Sequence, residues 1–159
     1  MKKSILSCSL TTGRCWNTML KYGIAVFFSS LVILPFLGTA QPLNDNCVNA
    51  TSLTVGTSCM LQTFSSIGGT SGIPAIMCNA LTGNADDDVW FIFTATKVTH
   101  EIKVDGSPNF NAVIDLRTVP CTTSSPIACM DMKGVDSVEI LVYNAFTVGT
   151  MYLIRVYDF

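Results

Sequence analysis

Alternation between apolar and polar residues recurs along the second half of this chain, and it limits the fold more than any other feature. The segment 98–104 alternates in this way, and the segments 112–117, 138–142 and 151–156 repeat the pattern. Successive side chains of a β-strand point to opposite faces, whereas a helix repeats its apolar residues every three or four positions. The four segments are therefore predicted to be half-buried strands.

The alternation also assigns a face to each side chain in these strands. It places His100 on the apolar face of its strand and Glu101 on the outer face. It turns Ile140 toward the core and Glu139 outward, and it places Leu153 on an outer face. These faces are expectations that a structure can test.

The segment Val89–Phe93 is apolar at every position, which predicts a central strand covered on both sides. The loop 105–110 holds turn-forming residues and is expected to join 98–104 to 111–117 as a hairpin. Short strands between such turns favour a β-sandwich over β-α-β units. The pattern does not separate jelly-roll from immunoglobulin-like connections.

An apolar run of 15 residues, Gly23 to Leu37, follows a basic N-terminal region and precedes the small residues Gly38-Thr39-Ala40. A transmembrane helix needs about 20 apolar residues, so the run is short for a membrane anchor. The pattern is typical of a secretory signal peptide, and we expect residues 1–40 to be cleaved after Ala40. Met19 is a candidate for the true start.

The expected mature chain, residues 41–159, has the length of one domain with a single core. It retains five basic and eleven acidic residues, a net charge of −6. An acidic chain without a cluster of Lys or Arg argues against binding to nucleic acid or to anionic membranes.

Five cysteines remain after the expected cleavage, and export would bring them to a compartment where disulfides persist. Cys121 and Cys129 flank a short loop that a hairpin could close, so we expect them to pair. One of Cys47, Cys59 and Cys78 is then left over. No CxxC pair or His cluster indicates zinc.

Three motifs resemble exported bacterial domains related to the prepeptidase C-terminal (PPC) domain, found in Bacteroidetes-type surface and secreted proteins. Asn44–Ala50 resembles their NDxCxxA opening, and Asp86–Ala95 resembles their D-D-V-W-[YF]-x-F-x-A strand. Thr147–Tyr157 resembles their late G-x-x-Y-x-[IV]-R-V-[YF] strand. The likeness runs over nearly the whole expected mature chain.

The resemblance implies an all-β, jelly-roll-like β-sandwich that accompanies hydrolases or adhesins and is not itself an enzyme. In such relatives a further cysteine-bearing strand follows the R-V-Y strand, so the chain is expected to lack its last strand. The resemblance also implies that Cys47 pairs with Cys78. Cys59 would then be the residue without a partner.

The resemblance further implies a candidate calcium site, because some related domains share a calcium ion between the opening motif and the acidic run before the central strand. Calcium prefers carboxylate and carbonyl oxygens. The alternative is a solvated loop in which Asp88 accepts backbone hydrogen bonds. The candidate ligands are Asn44, Asp45, Asp86, Asp87 and Asp88.

Catalysis is not indicated by the residue pattern. His100 is the one histidine of the chain, it lies on an apolar face, and no G-x-S-x-G motif accompanies it. Glu101 and Glu139 are expected on outer faces, which argues against a glycosidase pair. Aromatic residues such as Trp90 invite a sugar-stacking role, but at strand spacing they are more typical of a core.

The function expected from the sequence is that of a secreted or cell-surface accessory or adhesion module without catalysis. Its expected partner is a surface polysaccharide or a protein, and calcium is the one candidate cofactor. A structural spacer without a ligand is the second hypothesis, and a hydrolase is the third.

Overall fold

The computed structural model describes residues 40–58, 60–106 and 108–159. The predicted signal peptide, apart from Ala40, and Cys59 lie outside the described residues. The described part contains two short 3₁₀-helices, Cys47–Asn49 and Cys121–Thr123, and nine strands. The strands are β1 Thr51–Ser52, β2 Met77–Cys78, β3 Leu81–Thr82, β4 Val89–Thr94, β5 His100–Asp105, β6 Ala112–Thr118, β7 Pro126–Met130, β8 Val138–Tyr143 and β9 Met151–Asp158.

The strands form one large sheet, one small sheet and one hairpin. The large sheet has the order β1-β4-β9-β6-β7, the small sheet pairs β5 with β8, and β2 pairs with β3. The pairing of β1 with β4 is parallel and all the others are antiparallel. The chain is therefore an all-β sandwich, as the alternation predicts.

The main hydrophobic core lies between the large sheet and the small sheet. Alternate residues of β4, β6 and β9 point into it because successive side chains of a strand face opposite ways. Leu141 of β8 and the partly buried Ile102 and Val104 of β5 close the core from the small sheet. The buried residues of the large sheet in this core are Val89, Phe91, Phe93, Ile114, Leu116, Tyr152, Ile154 and Val156.

The opposite face of the large sheet is buried as well, although the alternation assigns β9 an outer face there. Leu153 is 1% exposed, so the expectation that it faces outward is wrong. The segment 60–88, which we call the covering segment, packs on this face through Ala75, Cys78 and Ala85. Both faces of β4 are covered, as the apolar Val89–Phe93 run predicts, and β4 is an interior strand, although the middle strand of the sheet is β9.

The expected hairpin of 98–104 with 111–117 is wrong. β5 pairs with β8 in the small sheet, whereas β6 pairs with β7 and β9 in the large sheet. The connection between β5 and β6 therefore crosses from one sheet to the other. Alternation identifies each segment as a strand, but it carries no information on which strand lies beside it.

Glu139 is also misplaced by the alternation, because the face of β8 is reversed. Glu139 and Leu141 are buried, whereas Ile140 and Val142 are exposed. The Glu139 carboxylate accepts hydrogen bonds from the backbone N–H of Met132 at 2.9 Å and of Lys133. The inward-facing carboxylate is therefore satisfied by the backbone of the loop that follows β7.

The four cysteines expected in disulfides are all bonded, but both expected pairings are wrong. Cys47 bonds to Cys121, and Cys78 bonds to Cys129. Cys129 lies on the face of β7 that meets the covering segment, so it reaches Cys78. Cys121 precedes that strand in a 3₁₀-helix, where it meets Cys47 in the other 3₁₀-helix.

Arg155 fastens the covering segment to the large sheet. Its side chain is fully buried, and its Nε donates to Oδ2 of Asp88 at 2.7 Å. Its terminal nitrogens donate to the carbonyl oxygens of Pro74, at 3.0 Å, and Ile73. The guanidinium also lies over the rings of Trp90 and Tyr157, at 5.6 and 4.8 Å from their centroids.

We predict that Arg155→Met destabilises the protein strongly. The change leaves the buried Asp88 carboxylate without its cation, and breaking a buried ion pair from one side costs about 3–5 kcal/mol. The free energy of unfolding in urea measures the effect. Lys103→Met, a change of the same type in the small sheet, should alter that free energy by at most about 0.5 kcal/mol. A loss below about 1 kcal/mol for Arg155→Met, the range of an exposed pair, would contradict the assigned role.

Candidate binding pocket

A surface pocket of about 220 Å³ lies where the ends of several strands meet. The β2–β3 hairpin, the residue before β6, the loop after β7 and the end of β9 each contribute to its wall. The pocket combines apolar, amide, acidic and basic side chains. The residues of its wall include Leu81, Asn111, Asp131, Met132, Lys133 and Phe159.

Two oxygen acceptors at this pocket have no donor among the described residues. Asp131 is 6% exposed, and no described residue donates a hydrogen bond to its carboxylate. The side-chain oxygen of Asn111 is buried and likewise has no partner. The Asn111 oxygen is closed off from solvent, so a ligand cannot reach it. The Asp131 carboxylate keeps contact with solvent and is therefore the acceptor of this pocket that a hydrogen-bond donor could reach.

The electrostatic surroundings of Asp131 disfavour its charge. Burial raises the pKa of Asp131 above its ordinary value, and the nearby Glu139 carboxylate raises this pKa further. Titratable groups perturbed by desolvation and by a charged neighbour are concentrated at functional sites. Asp131 is the residue lining this pocket whose pKa is shifted by both effects.

The wall around Asp131 is held in place by contacts from β8 and from the β2–β3 hairpin. Glu139 of β8 fixes the loop after β7 through the backbone of Met132 and Lys133. Asn79 in the β2–β3 turn donates its side-chain amide to the carbonyl oxygen of Asp131 at 2.9 Å. The Cys78–Cys129 disulfide joins the same hairpin to β7. These contacts position Asp131 before any ligand arrives, and preorganised sites lose less free energy on binding.

The opposite wall is built on the end of β9. The Asp158 carboxylate accepts the backbone N–H of Asn111 at 2.7 Å, and the backbone N–H of Asp158 donates to Asp87 at 3.0 Å. A Cβ at Gly83 would lie 2.9 Å from the Phe159 ring, so glycine permits this close approach. Phe159 is 42% exposed and gives the pocket an apolar surface.

Asn44 and Asp45, the expected calcium ligands from the opening motif, form hydrogen bonds within the fold. The Asn44 side chain donates to the carbonyl oxygen of Trp90 at 2.9 Å, and the backbone carbonyl oxygen of Asn44 accepts the backbone N–H of Trp90. Asp45 is buried and accepts hydrogen bonds from the backbone N–H and the hydroxyl of Thr70. These two residues of the opening motif hold β4 and the covering segment.

The three aspartates that precede β4 have different hydrogen-bond partners. Asp86 is exposed and accepts a hydrogen bond from Asn84, whereas Asp87 accepts from Ser66 and from the backbone of Asp158. Asp88 is fully buried and accepts from Trp90 Nε1 at 3.2 Å, from Gly72 N and from Arg155. Among the described residues, no group of three or more His, Cys, Asp or Glu is placed to hold a metal ion. The contacts favour the hydrogen-bonding alternative, and calcium binding stays a prediction.

The contacts of His100 are hydrogen bonds to the backbone and packing against aromatic rings. Its Nε2 accepts the backbone N–H groups of Thr96 and Lys97, both at 3.1 Å, and its ring packs edge-on against Phe93 and Phe146. An acceptor already used by two backbone donors is not free to take a proton from a substrate. The expectation of a packed rather than catalytic histidine agrees with these contacts.

The aromatic residues considered for sugar stacking lie mainly inside the protein. Trp90 is 1% exposed, and Phe91, Phe93, Tyr152 and Tyr157 are buried. They pack the two faces of the large sheet, as strand spacing favours. Sequence reasoning did not select the pocket residues Asn111, Asp131, Lys133 and Phe159, because they come from separate elements and form no local motif.

The comparison with protein families identifies the class of this domain. Residues 43–159 match a family described as galactose binding domain-like and associated with the type IX secretion system of Bacteroidetes. The chain belongs to this family. The match agrees with the expected Bacteroidetes-type surface β-sandwich, whereas the closer likeness to PPC domains stays a prediction. No curated protein and no solved structure is matched by the chain.

Domains associated with this secretion system belong to secreted or cell-surface proteins, and galactose-binding-like sandwiches are typically binding modules without catalysis. Within the part of the chain that the structure describes, no helix has the length and apolar character needed to cross a bilayer.

We predict that Asp131→Asn stabilises the folded protein at neutral pH. The folded-state pKa of Asp131 is raised above its ordinary value of 3.8, so the charged form costs free energy in the folded state. That cost is fully present above the raised pKa and disappears as the pH falls through it toward the ordinary value. The gain is about 1.4 kcal/mol for every pH unit that separates the two pKa values.

Urea unfolding of both proteins at a series of pH values measures this gain. The difference between the variant and the parent should shrink as the solution is acidified. Glu101→Gln removes the same charge from an exposed position on β5 and serves as the control. Lower stability of Asp131→Asn at neutral pH would show that the carboxylate has a structural partner.

Proposed function

We propose that this chain acts outside the cytoplasm as a non-catalytic accessory or adhesion module that binds a surface polysaccharide. Membership of a galactose-binding-like family associated with type IX secretion supports the class and the location. We also propose that residues 1–40 are the cleaved signal peptide that starts export. The ligand class is proposed from the pocket.

The observation that carries this proposal is the Asp131 carboxylate, which lines the pocket and accepts no hydrogen bond from any described residue. Sugar hydroxyls donate hydrogen bonds to carboxylates and amide oxygens, and they also accept hydrogen bonds from ammonium groups such as that of Lys133. The exposed Phe159 ring offers an apolar surface to the C–H face of a sugar. Binding sites commonly combine such apolar surfaces with a few placed polar groups.

A structural spacer without a ligand is the alternative. The paired carboxylates Asp45, Asp87 and Asp88 agree with a role in stability, because each satisfies donors of the fold. Asp131 differs from them, since the fold supplies it with no donor among the described residues. A spacer would gain stability from a neutral residue at this position and has no use for the charge.

A hydrolase is supported least. Asp131 with its raised pKa and Glu139 are two neighbouring carboxyl groups, which is the composition of a glycosidase pair. Glu139, however, is 2% exposed, and its Oε1 is already used by two backbone N–H groups. It therefore fits the role of a residue that positions the loop after β7.

We predict that the purified chain binds glycans on an array of surface polysaccharides and oligosaccharides, and that this binding depends on Asp131. Replacing Asp131 by Ala removes the acceptor and should weaken binding by about ten- to one hundredfold, since a hydrogen bond to a charged group contributes about 1.5–3 kcal/mol. Titration calorimetry with the best array ligand measures the loss.

The control for this titration is Glu101→Gln, which should leave glycan affinity unchanged. Circular dichroism confirms that each variant keeps its strand content. A folded parent protein that binds no glycan on the array would favour the spacer. Release of reducing sugar from a bound glycan would favour the hydrolase.

A further inference from the structure

The small sheet has two open edges, because among the described residues β5 and β8 pair only with each other. An open edge presents a row of unpaired backbone N–H and C=O groups, to which a strand of another chain can bind. Which backbone groups point to each edge, and which side chains accompany them, decides whether such a strand is accepted.

The direction of the backbone groups in β8 follows from the hydrogen bonds of the ladder. The backbone N–H of Gly106 donates to the carbonyl oxygen of Ser137 at 3.2 Å. These two residues lie opposite each other, one position beyond the pair of Asp105 with Val138. Opposite residues of an antiparallel ladder alternate between pairs that bond to each other and pairs whose backbone groups point away. The residues of β8 whose N–H and C=O groups point to its open edge, where no described residue bonds to them, are therefore Val138, Ile140 and Val142.

The open edge of β5 carries charged side chains, and the open edge of β8 does not. By the same alternation, the residues of β5 that point to its open edge are Glu101, Lys103 and Asp105. Charged side chains are a common protection of sheet edges against pairing. In the large sheet, β1 has two residues and β7 begins with Pro126, which has no N–H to donate. The β8 edge has neither protection, and its Ile140 and Val142 are 39% and 58% exposed.

A second copy of β8 satisfies all the open groups of this edge in one antiparallel register. Residues that exchange hydrogen bonds must point toward each other, and a twofold axis at Ile140 achieves this. It places Ile140 opposite the partner's Ile140 and Val138 opposite the partner's Val142. On the outer face β-branched side chains then lie opposite each other, which is a favourable cross-strand pairing, and no charge lies opposite a like charge.

The same construction disfavours the other pairings of the small sheet. A twofold axis at Lys103 of β5 places two lysines opposite each other and Glu101 opposite the partner's Asp105. Like charges directly opposite each other are destabilising. Pairing β5 of one copy with β8 of the next leaves a free edge at each end, so that contact does not close and would extend into a filament. Pairing of β8 with β8 closes after two copies.

We infer that two copies of this chain form a twofold dimer through the open edge of β8, with β5 and β8 of both copies joined in one continuous antiparallel sheet. The charged strands β5 form the two outer edges of that sheet, so further strands are not added. The inference does not depend on the ligand proposed for the pocket, and its failure would leave that proposal unchanged.

Sedimentation velocity of the purified protein over a wide range of concentration tests the inference, and an equilibrium between monomer and dimer is expected. Ile140→Lys places two ammonium groups opposite each other at the twofold axis and should raise the dimer dissociation constant by about tenfold or more. Val148→Lys makes the same change at an exposed valine outside β8 and serves as the control. It should leave the dissociation constant unchanged.

Cysteine cross-linking tests the register with a second pair of variants, both made in a Cys59→Ser background. Residue 140 lies opposite its own copy, with about 5.5 Å between the Cα atoms, which a disulfide can span. Ile140→Cys should therefore give a covalent dimer on oxidation. Val142→Cys changes the same face of the same strand, but its copy lies four positions further along the partner strand, about 13 Å away. It should remain monomeric on a non-reducing gel.

Several results would overturn the inference. They are a monomer at every concentration, a dimer that Ile140→Lys leaves intact, and larger assemblies in place of a dimer. Equal cross-linking of Ile140→Cys and Val142→Cys would also overturn it, because the twofold register separates the two positions. Circular dichroism shows whether each variant keeps its strand content, and the cross-linking result decides if Ile140→Lys does not fold.

Discussion

The buried ion pair between Arg155 and Asp88 is the interaction on which the rest of this sandwich depends. A guanidinium that no water reaches has to be paired and hydrogen-bonded, and Asp88 and the carbonyl oxygens of Ile73 and Pro74 supply those partners. Ile73, Pro74 and Asp88 all belong to the covering segment, and Asp88 directly precedes β4. The pairing therefore fastens an irregular segment onto a sheet face that would otherwise be open to solvent.

The pocket depends on the same arrangement. The covering segment contains the β2–β3 hairpin, which forms one wall of the pocket and is joined to β7 by the Cys78–Cys129 disulfide. The chain thus treats buried acids in two ways. Asp88 receives a cation and hydrogen-bond donors from the fold, whereas Asp131 receives neither from the described residues.

The sequence predicted the strands well because side-chain period is a local property. The apolar Val89–Phe93 run is β4, an interior strand covered on both faces, and the alternating segments correspond to β5, β6, β8 and β9. Strand partners, disulfide partners and the inward turn of Glu139 depend on residues distant in the chain, so a local pattern could not reveal them. The pocket was missed for the same reason, since Asn111 and Asp131 become neighbours of one pocket only in the fold.

Mapping the disulfides of the non-reduced protein by proteolysis and mass spectrometry tests the central claim, which is that the covering segment is fixed to the face of the large sheet behind the pocket. A peptide that links Cys78 to Cys129 is predicted, because this bond joins the covering segment to β7. A peptide that links Cys121 to Cys129 instead would contradict the account, because Cys78 and its hairpin would then be free of the sheet.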